Sequence, residues 1–324
     1  LRKAAVLFLI LICGTASGET FYSSSVTTFA SPDNSYTTLD SFIEGAETAL
    51  YVNVYTFDNP YVALELLEAH ERGVDVTILV DASPVGGISD NEWKVLNNLS
   101  GAGIPVYLWS DADLGFNHAK YVVADNMSVL VATENLGTTG FPITGTTGNR
   151  GWGAIVEGST SLYFADLFFT DLENGEQVDF TGFSPLDFYY EEKEYVPQFG
   201  SKTFPGNFTI VPVVAPENAV ESILELINSA SETLYIEEFY VYRFWGSKKN
   251  GYVDNPFLEA SIDAARRGVE VKILLDSTWY NIEEDDLTSN FNTAKYVNGI
   301  AADEGLDLEA RLIDLENKGL VKLH

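Results

Sequence analysis

His118 and Lys120 stand two residues apart in the segment Asn117-His118-Ala119-Lys120-Tyr121-Val122-Val123-Ala124-Asp125, with four residues between the lysine and Asp125. Ala119–Ala124 reads as a strand, and alternate side chains of a strand share a face. His118 and Lys120 are therefore expected side by side. An imidazole next to a fixed ammonium suits a phosphate ester. The ammonium neutralises the non-bridging oxygens while the imidazole attacks phosphorus. The next apolar run ends at Ala132-Thr133-Glu134-Asn135, where Asn135 can supply an amide donor to the same phosphate.

Alternating strands and helices are expected to hold these residues. Alternation of β-branched and aromatic residues predicts a strand over Ala49–Phe57. Val62, Leu66 and Ala69 recur at helical spacing before Gly73, which predicts a helix over Val62–Arg72. The apolar run Val74–Val80 reads as a strand buried on both faces. A helix over Glu92–Leu99 follows, then strands over Pro105–Trp109, Ala119–Ala124, Ser128–Thr133 and Trp152–Glu157, and a helix over Ser161–Leu172. The order returns later in the chain. Helices are expected at Val220–Ser229, Asn255–Arg266 and Thr288–Asp303. Strands are expected at Thr233–Val241, Val269–Leu275, Glu309–Ile313 and from Val321.

The sequence also repeats itself. Arg72-Gly-Val-Asp-Val-Thr-Ile-Leu-Val-Asp81 aligns with Arg267-Gly-Val-Glu-Val-Lys-Ile-Leu-Leu-Asp276, identical at seven of ten positions. Upstream, Ser31-Pro32-Asp33 aligns with Ala215-Pro216-Glu217, and Leu50-Tyr51-Val52 with Leu234-Tyr235-Ile236. The shared order implies a duplication. The expected fold is α/β, with two pseudo-repeated halves, each a mixed β-sheet flanked by helices. The expected divisions are a signal over residues 1–18, a first half over 19–180, a connection over 181–210 and a second half over 211–324. Residues from about 175 to 210, rich in Gly, Pro, aromatics and acids, fit neither periodic pattern.

His-x-Lys-x4-Asp, followed by a tetrad ending in Asn, resembles the signature of the phospholipase D superfamily. The tetrad here is Ala132-Thr133-Glu134-Asn135, with small residues exchanged for the family's Gly and Ser and the Asn kept. Family members pair two such halves around a pseudo-twofold axis, and the resemblance covers residues 30–324. It implies that one histidine attacks phosphorus to form a phosphohistidine. A second histidine protonates the leaving oxygen and then activates water or an alcohol. Imidazole, with an ordinary pKa of about 6.5, suits both tasks. The resemblance assigns His118 and His324 to these roles, Lys120 and Asn135 to the phosphoryl oxygens, and Asp125 to a structural or orienting part. It implies no cofactor and no metal.

Two departures stand out. The family often carries an acid after the tetrad that orients histidine. Gly151 in Asn149-Arg150-Gly151-Trp152 occupies that position here, and Glu134 or Glu157 are substitutes of lower standing. His324 begins a second motif and is also the last residue of the sequence, so the second half is expected to be incomplete.

Blander readings hold for other residues. His70 reads as a solvated helix residue, and Asp81 and Asp276 as caps at strand ends. Tyr189, Tyr190, Phe244 and Trp245 read as core or loop aromatics before a lipid-facing lip. Asn98-Leu-Ser100 and Asn207-Phe-Thr209 match the glycosylation triplet, a pattern common by chance.

Composition narrows the function classes. Residues 1–18 join Arg2-Lys3 to an apolar run and small residues, the form of a secretory signal. Cys13 within that run is the only cysteine, so a disulfide framework and a thiolate metal site are excluded from the rest. The formal charge of −30 opposes general binding of nucleic acid, which needs basic residues against phosphates. The expected activity is an exported phosphodiesterase acting on phospholipid, with peripheral membrane contact and a homodimer as further expectations. The rivals are a secreted nuclease of the same superfamily and a non-catalytic phosphate-binding module.

Overall fold

The computed structural model describes residues 18–178, 186, 193–247, 251–313 and 321. Two compact units divide them. One holds 23–206 and 321, the other 18–22 and 207–313. Residues 1–17 of the expected signal, Tyr189, Tyr190 and His324 lie outside the described residues.

The first unit runs β1 (Phe21–Ser31), α1 (Ser35–Glu44), β2 (Ala49–Val54), α2 (Pro60–Glu71), β3 (Asp75–Asp81), α3 (Asp90–Gly101), β4 (Val106–Trp109), β5 (Lys120–Ala124), β6 (Ser128–Ala132), β7 (Gly151–Glu157), α4 (Thr160–Leu172), β8 (Gly175–Gln177) and the start of β9 (Lys202–Ile210). Its sheet has the order β8-β4-β3-β2-β5-β6-β7-β1-β9. β2, β3 and β4 are parallel, whereas β5, β6, β7 and β1 continue antiparallel. This is a mixed sheet. Leu39, Ile43, Leu66, Leu96 and Leu99 of α1–α3 pack on one face against Val52, Ile78, Val80, Val122 and Leu130. Ala165 and Phe168 of α4 cover the other face with Leu79, Tyr121, Val123 and Val129. β5 is consequently buried along its whole length.

Local chemistry fixes the helix ends. Asn59 precedes Pro60 and accepts the N–H groups of Tyr61 and Val62, which starts α2. Ser89 accepts the N–H of Glu92 and starts α3. Gly73 leaves α2 at φ +95, a backbone region that L side chains avoid.

The second unit runs from the end of β9 through α5 (Ala219–Ser229), β10 (Thr233–Glu238), β11 (Phe244–Ser247), β12 (Gly251–Asp254), α6 (Pro256–Arg266), β13 (Glu270–Leu275), α7 (Asn290–Glu304) and β14 (Leu308–Leu312). β10, β13 and β14 form a parallel sheet in that order. β11 and β12 make a separate ribbon. Ile262, Val271, Ile273, Leu275 and Val297 centre its core.

The same devices occur in each unit. Asn255 and Pro256 start α6 as Asn59 and Pro60 start α2. Arg72 Nη2 donates to the carbonyls of Ile43 and Glu44 at 3.0 and 3.3 Å, at the end of α1. Arg267 Nη2 donates to those of Ile227 and Asn228 at 3.4 and 3.3 Å, at the end of α5. Ser31-Pro32 and Ala215-Pro216 are both cis.

Three expectations need correction. β1 and α1 lie ahead of the first expected strand. The stretch from about 175 to 210, read as the connection between the halves, contains β8, which pairs with β4, and all of β9. Asn98 is no surface acceptor for a glycan. It is buried in α3 and donates to the carbonyl of Lys94 at 2.8 Å.

Candidate active site

The site residues collect where β2, β3 and β4 end, which is also where β5 and β7 begin and β6 ends. Open α/β sheets bind ligands at this carboxyl edge. Lys120 is the first residue of β5, opposite Val54 of β2. The buried strand leaves the residue about 7% exposed. Nζ donates to the carbonyl of His118 at 2.9 Å and lies 5.5 Å from the centre of the Tyr55 ring. His118 is exposed, and its imidazole packs edge-on against Tyr55 at 4.6 Å between ring centres. Tyr55 is held from behind, its hydroxyl oxygen accepting the N–H of Val85 at 2.6 Å. The structure thus brings the imidazole and the ammonium together on one aromatic support.

A buried polar chain fixes the turn into His118. Asp81, at the end of β3, accepts the N–H of Asn117 at 2.7 Å and that of Ser83 at 2.8 Å. Asn117 Nδ2 donates to Asn53 Oδ1 at 2.8 Å. Asn53 Nδ2 in turn donates to the Tyr121 hydroxyl at 3.1 Å and to Asp171 at 3.0 Å. Asp81 therefore does more than cap a turn, and Asn53, Asn117 and Tyr55 are site-building residues that the sequence analysis missed. Asn117 stands directly before the histidine, which was the one available signal.

Asn135 follows β6 at the same end of the sheet. Its Oδ1 is buried and has no hydrogen-bond partner among the described residues. Just before it, Glu134 is buried and accepts from Asn149 Nδ2 at 3.1 Å. Arg150, entering β7, forms an ion pair with the buried Asp33 and donates to Ser31 O at 3.0 Å and the Tyr195 hydroxyl at 3.1 Å. Burial raises the Asp33 carboxyl, but hydrogen bonds from Gln198, Arg150 and Phe199 outweigh it and hold the group below its ordinary value. Val321 is buried and bridges Arg150 in parallel.

Asp125 is not part of this cluster. It sits past the opposite end of β5 at φ +56. Its carboxylate accepts from Glu47 N, Thr48 N, Thr48 Oγ1 and Ala49 N at 2.7–2.9 Å. Burial raises its pKa, and these four bonds more than offset that, so the carboxyl is held below its ordinary value. Asp125 fastens the start of β2. Among the described residues no group of three or more His, Cys, Asp or Glu is placed to hold a metal ion.

The family model described as cardiolipin synthase, PLD-like domain matches residues 39–165, the span that carries His118, Lys120 and Asn135. These residues are a phospholipase D-like domain. A cardiolipin synthase of Clostridium perfringens (strain SM101 / Type A) is 25% identical over 251 residues, which cover 72% of this chain and 48% of the relative. The chain thus spans about half the length of that relative. The phosphatidylserine synthase of Haemophilus influenzae Rd KW20 superposes with a TM-score of 0.61 at 12% identity, covering 93% of this chain and 74% of the other. That likeness shows a shared fold over nearly all of the chain.

Proposed function

We propose that the chain cleaves or transfers phosphodiester bonds of phospholipids, with the His118 imidazole as nucleophile. The observation that carries this is the pairing of an exposed imidazole with a buried, tethered ammonium against Tyr55. The ammonium offers positive charge at a fixed point, where it acts more strongly than in water. The exposed imidazole beside it can attack phosphorus. A phospholipid phosphodiester is preferred over nucleic acid because the chain is strongly acidic. The cardiolipin synthase relative supports the same class. The phosphohistidine step, the participation of His324, export by the N-terminal segment and peripheral contact with a membrane belong to this reading. So does descent of the two units from one duplicated half, which the shared capping and arginine contacts support.

The test is trapping. Rapid denaturation of the chain during turnover of a chromogenic phosphodiester should leave an acid-labile phosphoryl group on His118. The His118→Ala variant should be inactive and unlabelled while keeping its fold. Activity retained in that variant overturns the mechanism.

A further inference from the structure

Glu134 is a carboxylate that the fold goes to some length to bury. Its residue is about 3% exposed, and a charge without water needs compensation. Two glycines make the room. A Cβ on Gly151 would stand 2.6 Å from Glu134 Cγ and 2.9 Å from Oε1, and one on Gly140 would stand 2.7 Å from Glu134 Cβ and 2.9 Å from Oε2. Asn149, itself buried, donates to Oε2 and also to Thr139 Oγ1 at 3.2 Å. A side chain at either glycine would close the seat, so the carboxylate's position is built and not incidental.

The strand register says what the seat adjoins. β5 and β6 pair Tyr121 with Val131, and carrying that register three residues onward sets Glu134 opposite His118. β6 and β7 pair Ala132 with Gly153, and two residues onward Glu134 falls opposite Gly151. Continued past the ends of β5 and β6, these registers align His118, Glu134 and Gly151 in one row. Lys120 and Asn135 are its neighbours along the chain. A buried carboxylate in such a row suits one task. It accepts an imidazole N–H and so fixes which ring nitrogen faces the phosphate.

We propose that Glu134 is the positioning carboxylate of this site, seated in space that Gly151 leaves open. The role rests on the phosphodiester reading for its chemistry, though its geometry does not.

Proton NMR of the full chain carrying nitrogen-15 histidine tests it. We expect an exchange-protected imidazole N–H in the wild type. It should be lost in Glu134→Ala and return in the double variant Glu134→Ala with Gly151→Asp, which supplies a carboxylate from the neighbouring strand. Glu134→Gln, close in shape, should fold normally and lower turnover by about 100-fold or more. Loss of the signal in His118→Ala assigns the ring to His118. Persistence there overturns the proposal, because the register aligns Glu134 with His118. A spectrum unchanged in Glu134→Ala, or wild-type turnover in Glu134→Gln, overturns the proposal. A spectrum that responds as expected in a chain with no phosphodiesterase activity keeps Glu134 and removes the phosphodiester reading.

Discussion

Asp81 and Asn117 are joined by a 2.7 Å hydrogen bond from the Asn117 N–H to the Asp81 carboxylate. A strand-end acid thereby governs the residue that delivers the histidine. The bond is buried and its acceptor is charged, so its loss strands a backbone donor. Asp81→Ala should destabilise the chain by about 2 kcal/mol and lower turnover beyond what the stability loss explains. Chemical denaturation and kinetics on the same sample check both.

Asp125 works through stability and not through chemistry. Its carboxyl is held below its ordinary value, so its contribution is present above about pH 4, where the unfolded carboxyl ionises. It is lost as pH falls through the lower folded value. Asp125→Ala should cost about 1–2 kcal/mol at pH 7 and progressively less as pH falls below the ordinary carboxylate range. Folded Asp125→Ala should retain turnover. Complete inactivity with an intact fold contradicts this.

Glu92 gives the opposite sign. It is buried at the start of α3, and its Oε1 accepts the N–H of Phe57 at 2.8 Å. Burial, aided by Asp58 and Asp81, pushes its carboxyl up to about 7. A folded value above the unfolded one means the contribution is full below about pH 4.5 and is lost as pH rises through 7. From pH 5 to pH 8 the wild type should lose on the order of 2 kcal/mol through this group. Glu92→Gln keeps the acceptor and removes the titration. Urea midpoints at the two pH values should therefore lie closer together in the variant, and an unchanged gap refutes the assignment.

On the proposed mechanism turnover should not depend on a divalent cation, because Lys120, tethered to the His118 carbonyl, would supply the positive charge. Prolonged dialysis against EDTA is expected to leave the rate of His118-dependent hydrolysis unchanged. A large loss restored by a divalent metal would place the reaction in a different mechanistic class.

The strongly periodic elements were legible in the sequence. α2, β3, α4, α6 and β13 fall close to where apolar spacing puts them. His118 precedes β5 and so lies outside the strand that period two was read from, yet it and Lys120 both reach the Tyr55 ring. β1 was hidden because Tyr22-Ser-Ser-Ser-Val-Thr-Thr28 carries little apolar signal. Its place is set by pairing with β7. There Phe29 fills the space beside Gly153, where a Cβ would lie 2.0 Å from the ring. That complementarity joins residues far apart in sequence, and no local pattern encodes it. The hold of Asp81 on Asn117 and the seat of Glu134 were invisible for the same reason.

The near-identity of Arg72–Asp81 and Arg267–Asp276 has a consequence for biosynthesis. β3 and β13 present almost the same apolar row, and each lies parallel to a partner strand, β2 or β10. A nascent chain thus carries two interchangeable strands, and exchange of one for the other is a trap open to it. Vectorial emergence from the ribosome closes that trap, since β2 and β3 can pair before β13 exists. Refolding of the whole chain from denaturant loses this ordering and should be the less faithful route.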